Sequence, residues 1–302
     1  MKAIVQLAQG SADGLRLQEV EKPTPKANEV LVQVHAATVT AGDVVMRKLP
    51  RLVYPVLALM GLKRKSIPGH EFAGVVEAVG DDVTRFRAGD HVFGTTTGLR
   101  VGANAEYVCV PETSKSGVIA EKPANISYEQ AAALPVGGMT ALQILRKANI
   151  QHGQRALIYG ASGSVGSYAV QLAKYFGADV TGVCSAANFE MVQSLGADSV
   201  IDYASGDFTH NTQTYDVIFD AVGKTSQKKL KNVLAENGVY LSVKGSTSEK
   251  LEYLSFLGEL AEKGQIKPYI DARYPLEQTP AAHRYVETGR KKGNVVITVV
   301  NS

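Results

Sequence analysis

The chain has only two cysteines, Cys109 and Cys184, in 302 residues. That count excludes a disulfide framework and fits a reducing compartment. Charge of one sign is also scarce: 32 Lys and Arg against 29 Asp and Glu leave a formal net charge of +3. So small an excess, with no basic stripe interleaved with aromatics, argues against a nucleic-acid partner. Long apolar runs are missing as well. The most membrane-like stretch, residues 53–62, falls far short of the ~20 apolar residues that a membrane span requires. Residues 1–10 carry one lysine and few apolar side chains, too little for a signal peptide, so a cytoplasmic location is expected. What remains is an ordinary soluble composition, 45% hydrophobic and 20% charged, with length enough for two domains.

The most informative segment is Leu157-Ile158-Tyr159-Gly160-Ala161-Ser162-Gly163-Ser164-Val165-Gly166. A short apolar run that reads as a strand stops at a glycine-rich turn. Val165, Ala169, Leu172, Ala173 and Phe176 then fall at helical spacing. Strand, turn and helix in that order suit a dinucleotide. Glycines allow a tight turn and close approach of a pyrophosphate, and the helix N-terminus offers N–H groups and a positive dipole end.

Around this segment the chain has two grammars. The first third reads as short β-branched runs separated by Gly and Pro. From Ser127 onward, strand-like segments alternate with helical ones. The strands are expected at 155–160, 179–184, 199–202, 216–222 and 238–243, and the helices at 165–176, 188–195, 226–234 and 250–262. That alternation implies a parallel sheet covered on both faces. A last strand-like run, 295–300, needs a sheet to join, and the N-terminal β domain is its natural host.

Several phrases, in order, resemble the medium-chain dehydrogenase/reductase superfamily, in its zinc-free quinone-reductase-like branch. They are Pro68-Gly69-His70-Glu71-Phe72-Ala73-Gly74, Ala105-Glu106-Tyr107-Val108, Ala131-Ala132-Ala133-Leu134-Pro135, the Gly160–Gly166 turn, Leu195-Gly196-Ala197-Asp198, Val200-Ile201-Asp202-Tyr203, Asp216-Val217-Ile218-Phe219-Asp220 and Gly293-Asn294-Val295-Val296. The resemblance implies an α/β protein made of a GroES-like β domain and a Rossmann domain with a doubly wound parallel sheet. It implies a GroES-like catalytic domain over 1–122, completed by 266–302, a dinucleotide-binding domain over 123–265, and an active site in the cleft between them. Cofactor contacts are expected from Thr140, Gly160, Ser162, Gly163, Ser164, Val165, Gly166, Ser185, Asn188, Tyr203, Val222, Gly223 and Asn294.

Zinc-dependent relatives bind a catalytic zinc through a Cys, the His of the Gly-His-Glu phrase and a further Cys or carboxylate. Here His70 is present, but the upstream stretch reads Val39-Thr40-Ala41-Gly42-Asp43 and offers no thiolate. A four-cysteine structural lobe is impossible with two cysteines. No metal is expected, and His70 and Glu71 are read as bracing a turn. For the cofactor, an acid at the end of the second Rossmann strand would hold the ribose 2′-OH of NAD. That strand ends Val183-Cys184-Ser185-Ala186-Ala187-Asn188, and no acid follows until Glu190. The missing acid permits NADPH, although no Lys or Arg occurs between Tyr175 and Gly223 to pair with its 2′-phosphate. NADPH is favoured, with NADH possible, and Ser185, Asn188 and Tyr203 would supply the polar contacts.

The resemblance implies hydride transfer from the nicotinamide C4 to a quinone or to the β-carbon of an α,β-unsaturated carbonyl. Without a metal, the charge on the substrate oxygen must be met by oriented hydroxyls, backbone N–H groups or water. Thr40 aligns with the family's usual asparagine and could orient a carbonyl through one donor. Tyr54 is the nearby phenol that could donate a proton, and Asp43 is read as structural. Two other readings stand beside the reductase: a 2-enoyl-thioester reductase using Lys63-Arg64-Lys65 for a phosphorylated carrier, and a dinucleotide-binding sensor or structural protein with little turnover. The partner expected is a small-molecule substrate. In relatives a further helix and strand follow the fifth Rossmann strand; here residues 238–243 run at once into Lys244-Gly245-Ser246. A sheet one strand short is expected, in a monomer or in a homodimer built through another surface.

Overall fold

The computed structural model describes residues 1–8, 10–50, 67–96, 102–114, 117–206, 209, 213–245 and 247–300. Tyr54, the apolar stretch 53–62 and Lys63-Arg64-Lys65 lie outside the described residues. The chain divides into two compact units. One comprises Met1–Pro135, Glu249–Glu262 and Ile270–Ser302; the other comprises Val136–Ser248 and Lys263–Tyr269.

In the first unit β1 (Lys2–Gln6) and β2 (Leu15–Glu19) form an antiparallel pair. The long strand β3 (Glu29–Thr38) is nearly continuous in buried Val, Leu and Ala, as a strand covered on both faces is, and it pairs along both edges. It leads to helix α1 (Ala41–Lys48), then β4 (Glu71–Val79), β5 (His91–Thr95), β6 (Tyr107–Pro111), β7 (Ile119–Glu121) and helix α2 (Tyr128–Ala133). The core of this unit gathers Ile4, Leu15, Val32, Phe72, Val92, Ile119, Val295 and Ile297.

The second unit carries the alternation read from the sequence. Helix α3 (Pro135–Ala148) leads to β8 (Arg155–Tyr159), α4 (Ser164–Tyr175), β9 (Asp179–Cys184), α5 (Phe189–Ser194), β10 (Ser199–Asp202), β11 (Tyr215–Asp220) and β12 (Leu234–Ser242). Its five strands are all parallel, in the order β10-β9-β8-β11-β12. The order reverses between β8 and β11, and the crevice at such a switch point is where doubly wound sheets bind ligands.

One expected helix does not form. Residues 227–230 are turn and residues Lys231–Val233 a single 3-10 turn, with Leu230 and Val233 buried beneath the sheet. The strand expected at 238–243 instead begins at Leu234, and its register against β11 shifts between Tyr215 and Val217. The sheet ends there: among the described residues no sixth strand follows, and β12 is an edge.

The chain then returns to the first unit through α6 (Leu251–Glu262), β13 (Ile270–Pro275), α7 (Thr279–Glu287) and β14 (Asn294–Thr298). Gly258 of α6 lies on Phe93 and Pro123. β14 pairs with β3 and β13, completing a sheet of order β13-β14-β3-β4-β5-β7, with β6 also on β3. The C-terminal strand thus joins the N-terminal sheet. No helix among the described residues is long and apolar enough to cross a membrane.

Candidate functional site

The glycine turn after β8 has two packing glycines and one open one. Gly160 has φ +81°, a conformation that disfavours a side chain, and a Cβ there would meet Val222 Cγ2 at 2.2 Å. A Cβ on Gly166 would meet the Gly160 carbonyl oxygen at 2.1 Å, so the first turn of α4 sits directly on the loop backbone. Gly163 differs. A Cβ there would meet only the Gly160 oxygen, at 3.5 Å, an ordinary contact. Gly163 is also the N-cap of α4, and no side chain caps that end. The helix start therefore presents backbone N–H groups and the dipole's positive end beside an unfilled space, the arrangement that receives a phosphate. Ser164, Val165 and Gly166 form this first turn. Gly137 of α3 lies against it: a Cβ on Gly137 would be 2.5 Å from Ser164 Oγ and 2.9 Å from the Tyr168 ring. Thr140, half-buried, is one turn further along α3.

On one side of the turn are the C-terminal ends of β9 and β10. The loop backbone rides on β9, with Gly160 N and Ala161 N donating to Val183 O at 2.9 and 3.1 Å. After β9 a 3-10 turn, Ala186–Asn188, brings Asn188 Nδ2 to Ser162 Oγ at 3.0 Å. Asn188 Oδ1 is buried without a protein partner. Ser185 makes no capping hydrogen bond, and Tyr203, just past β10, is 57% exposed. The structure therefore brings Ser162, Ser185, Asn188 and Tyr203 to one end of the sheet, with polar atoms still to satisfy. Burial, with Asp202 nearby, pushes the Cys184 thiol up to about 11, so it stays protonated at neutral pH.

On the other side an unforeseen residue shapes the site. Asp220, fully buried at the end of β11, accepts from Val222 N at 3.0 Å and Gly223 N at 2.8 Å through one oxygen. Its second oxygen accepts from Thr225 N at 3.0 Å and the Tyr240 hydroxyl at 3.1 Å. Burial, then the Asp220 charge and hydrogen bond, pushes the Tyr240 phenol up to about 12. The carboxylate fixes the Val222–Gly223 turn, with Gly223 at φ +73°, against the glycine loop. The only sequence sign was an acid closing an apolar strand just before Val-Gly.

The remaining residues lie in the first unit. Thr40 is the N-cap of α1 in a reciprocal box with buried Asp43. Its hydroxyl donates to Asp43 Oδ2 at 2.6 Å and accepts from Asp43 N at 3.1 Å, while Thr40 N donates to the same carboxylate at 2.7 Å. The proton expected to orient a substrate carbonyl is thus directed at Asp43, and Asp43 is structural. Asn294 opens β14 and is buried.

His70 does more than brace a turn. Its Nε2 is 2.7 Å from Glu249 Oε1 and its Nδ1 is 3.3 Å from Thr96 Oγ1. Glu249 Oε2 in turn accepts from Thr95 Oγ1 at 2.7 Å. Burial opposes charge on the imidazole, but Glu249, with Asp43 and Glu71 behind it, outweighs burial and raises the His70 pKa. Glu71, next in sequence, accepts a short hydrogen bond from Thr38. Burial pushes the Lys291 ammonium down to about 8 against the pull of Glu71 and Asp271. Among the described residues no three His, Cys, Asp or Glu side chains gather as a metal would need.

Comparison with known proteins agrees with this architecture. Residues 26–122 match the family model described as alcohol dehydrogenase GroES-like domain. Residues 164–264 and 246–297 match two described as zinc-binding dehydrogenase. The chain is 35% identical to a 2-methylene-furan-3-one reductase of Solanum lycopersicum, over 98% of this chain and 79% of that protein. It is 32% identical to a chloroplast envelope quinone oxidoreductase homolog of Arabidopsis thaliana, over 95% of each. Among solved structures it resembles the quinone oxidoreductase from Coxiella burnetii, with TM-score 0.89, 30% identity and 99% of each chain covered.

Proposed function

Since the chain belongs to the quinone-reductase-like branch of the medium-chain dehydrogenase/reductase superfamily, an oxidoreductase family, we propose that it reduces quinones or α,β-unsaturated carbonyl compounds with a nicotinamide dinucleotide and without zinc. The observation that carries this reading is the open position of Gly163 at the uncapped start of α4. The bound dinucleotide would supply a hydride from its nicotinamide ring. Ser164, Val165 and Gly166 would bind its pyrophosphate through backbone N–H groups, and Val222 and Gly223, held by Asp220, would wall the same crevice. Ser162, Ser185, Asn188 and Tyr203 would meet the adenosine ribose, with Asn188 held beside the loop by its hydrogen bond to Ser162. Thr140 and Asn294 complete the set proposed for the cofactor.

NADPH is proposed to bind more tightly than NADH, by a narrow margin. No carboxylate closes β9 to repel a 2′-phosphate, and no Lys or Arg between Tyr175 and Gly223 attracts one.

Zinc independence rests on the donors present. His70 is committed through both ring nitrogens, and the 39–43 stretch carries no thiolate. The substrate's developing oxyanion would then be met by hydroxyls and water. In this proposal the Thr40 hydroxyl, whose proton is held by Asp43, turns off that carboxylate to donate to the substrate carbonyl, and Tyr54 is the proton donor. Orientation of the two reactants would supply most of the rate enhancement.

The experiment is a dinucleotide titration beside an NADPH-oxidation assay with a quinone, an enone and an enoyl thioester, each run with and without a strong chelator. Turnover of the quinone or enone, unchanged by chelator, is expected. Exclusive turnover of the thioester, or binding without turnover, would replace this reading by one of its rivals.

A further inference from the structure

The crevice between β8 and β11 is the place proposed for a dianionic diphosphate, yet the chain from Tyr175 to Gly223 contributes no cation to it. A cation to reinforce the positive end of α4 would come from outside that span. Lys244, two residues past the end of β12, stands where it is needed. Its aliphatic stem lies on Gly223: a Cβ built on that glycine would meet Lys244 Cε at 3.0 Å, Cγ at 3.2 Å and Cδ at 3.6 Å. Gly223 follows Val222, whose methyl fills the space that a Gly160 side chain would need. Lys244, Gly223, Val222 and Gly160 therefore form a continuous path from the last strand to the phosphate-binding turn. Lys244 is exposed, and its ammonium pairs with no acid among the described residues.

We infer that Lys244 supplies the cationic contact to the diphosphate of the nicotinamide dinucleotide, its stem guided there by Gly223. This rests on the dinucleotide reading above and assigns a charge partner that the β9 end does not offer. Sheet order distinguishes the diphosphate from the 2′-phosphate. β12 neighbours β11, whereas β9 lies beyond β8 on the far side. With strands about 4.8 Å apart, the end of β9 is roughly 14 Å from β12. A four-carbon stem that leans over the turn after β11 serves the crevice between β8 and β11 and falls short of β9. Gly223 is itself part of the device. A side chain there would crowd the lysine stem, and the Asp220 hydrogen bond fixes the turn beneath it.

The test is equilibrium titration of NADPH and NADH against the full chain carrying Lys244→Gln, Lys244→Arg and, as control, Lys228→Gln on the exposed surface of the same unit. Loss of a charge-assisted contact should weaken both dinucleotides by about fivefold or more, leaving the ratio of their dissociation constants unchanged. The arginine variant and the Lys228 control should bind as the parent does, and all should melt at the parent temperature. Weakening of NADPH alone would overturn the inference, because the lysine would then serve the 2′-phosphate. Unchanged binding of both by Lys244→Gln would overturn it and leave the dinucleotide reading standing. Failure of the parent to bind either would overturn both.

Discussion

Glu249 and His70, 179 residues apart in the sequence, share a 2.7 Å hydrogen bond. Glu249 is the first residue of the chain's return to the β unit, and His70 immediately precedes β4. The contact ties that return to the sheet, and Thr95 and Thr96 satisfy the remaining atoms of the pair.

The raised pKa of His70 sets a pH dependence for this tie. A group with a raised folded pKa contributes stability that is fully present below its unfolded value, here 6.5. The contribution is lost as pH rises through the higher folded value. Glu249→Gln should lower the His70 pKa in an NMR titration of the imidazole ring. It should cost about 1 kcal/mol of stability at pH 6 and less at pH 8. An unchanged titration would show that the pair does not hold the proton.

The three turn glycines should separate folding from binding. Gly166→Ala forces a Cβ to within 2.1 Å of the Gly160 oxygen and should destabilise the protein by about 1–3 kcal/mol. Gly160→Ala adds a clash with Val222 at a positive φ and should do at least as much harm. Gly163→Val meets no such obstruction at Cβ, so its cost should stay near about 1 kcal/mol, from the poorer N-cap, while dinucleotide binding is lost. Thermal melts and titrations on the same three preparations check the contrast.

The glycine turn was legible because its signal is local. Backbone that must turn at positive φ and lie against a helix leaves glycines at fixed spacing, and the amphipathic helix after them is read from periodicity. The Thr40–Asp43 box shows the same locality, with its two residues three apart. Asp220 was half legible: the strand was visible, but not that its terminal carboxylate gathers three backbone N–H groups and a phenol. Glu249 was not legible at all. Nothing in Ser248-Glu249-Lys250 announces a partner so distant in sequence, since only the folded path of the chain brings it to His70. The expected helix at 226–234 failed for a different reason. Leu230, Val233 and Leu234 have helical spacing, but Leu234 starts the edge strand on β11 and so ends any helix before it can form.

Asp220→Ala removes the anchor of the Val222–Gly223 turn and leaves three backbone donors without their acceptor. A loss of about 2–4 kcal/mol is expected, measured by denaturant unfolding, together with weaker dinucleotide binding. The Tyr240 phenol, now pushed up to about 12, should titrate nearer its ordinary value. Retention of that high value would mean that burial alone sets it.

His283 provides an opposite pH effect. It is fully buried on α7, both ring nitrogens lack partners, and burial pushes its pKa down to about 4, with Arg47 adding to the effect and Asp43 and Glu287 opposing it. Because the unfolded chain binds this proton at 6.5 and the folded chain only near 4, stability falls as pH drops across that interval. His283→Leu should leave stability at pH 7 nearly unchanged, since no hydrogen bond is lost, and should flatten the decline between pH 6.5 and 4. Denaturant midpoints across that range test it; an equally steep decline in the variant would assign the acid sensitivity to other groups.

In the proposed function the nicotinamide hydride goes to an electron-poor carbon rather than to a carbonyl. NADPH carrying deuterium at the transferable C4 position, turned over with an α,β-unsaturated ketone in the presence of a chelator, measures it directly by NMR of the product. A saturated ketone with deuterium on the β-carbon is expected. An allylic alcohol with deuterium on the former carbonyl carbon would contradict the proposal.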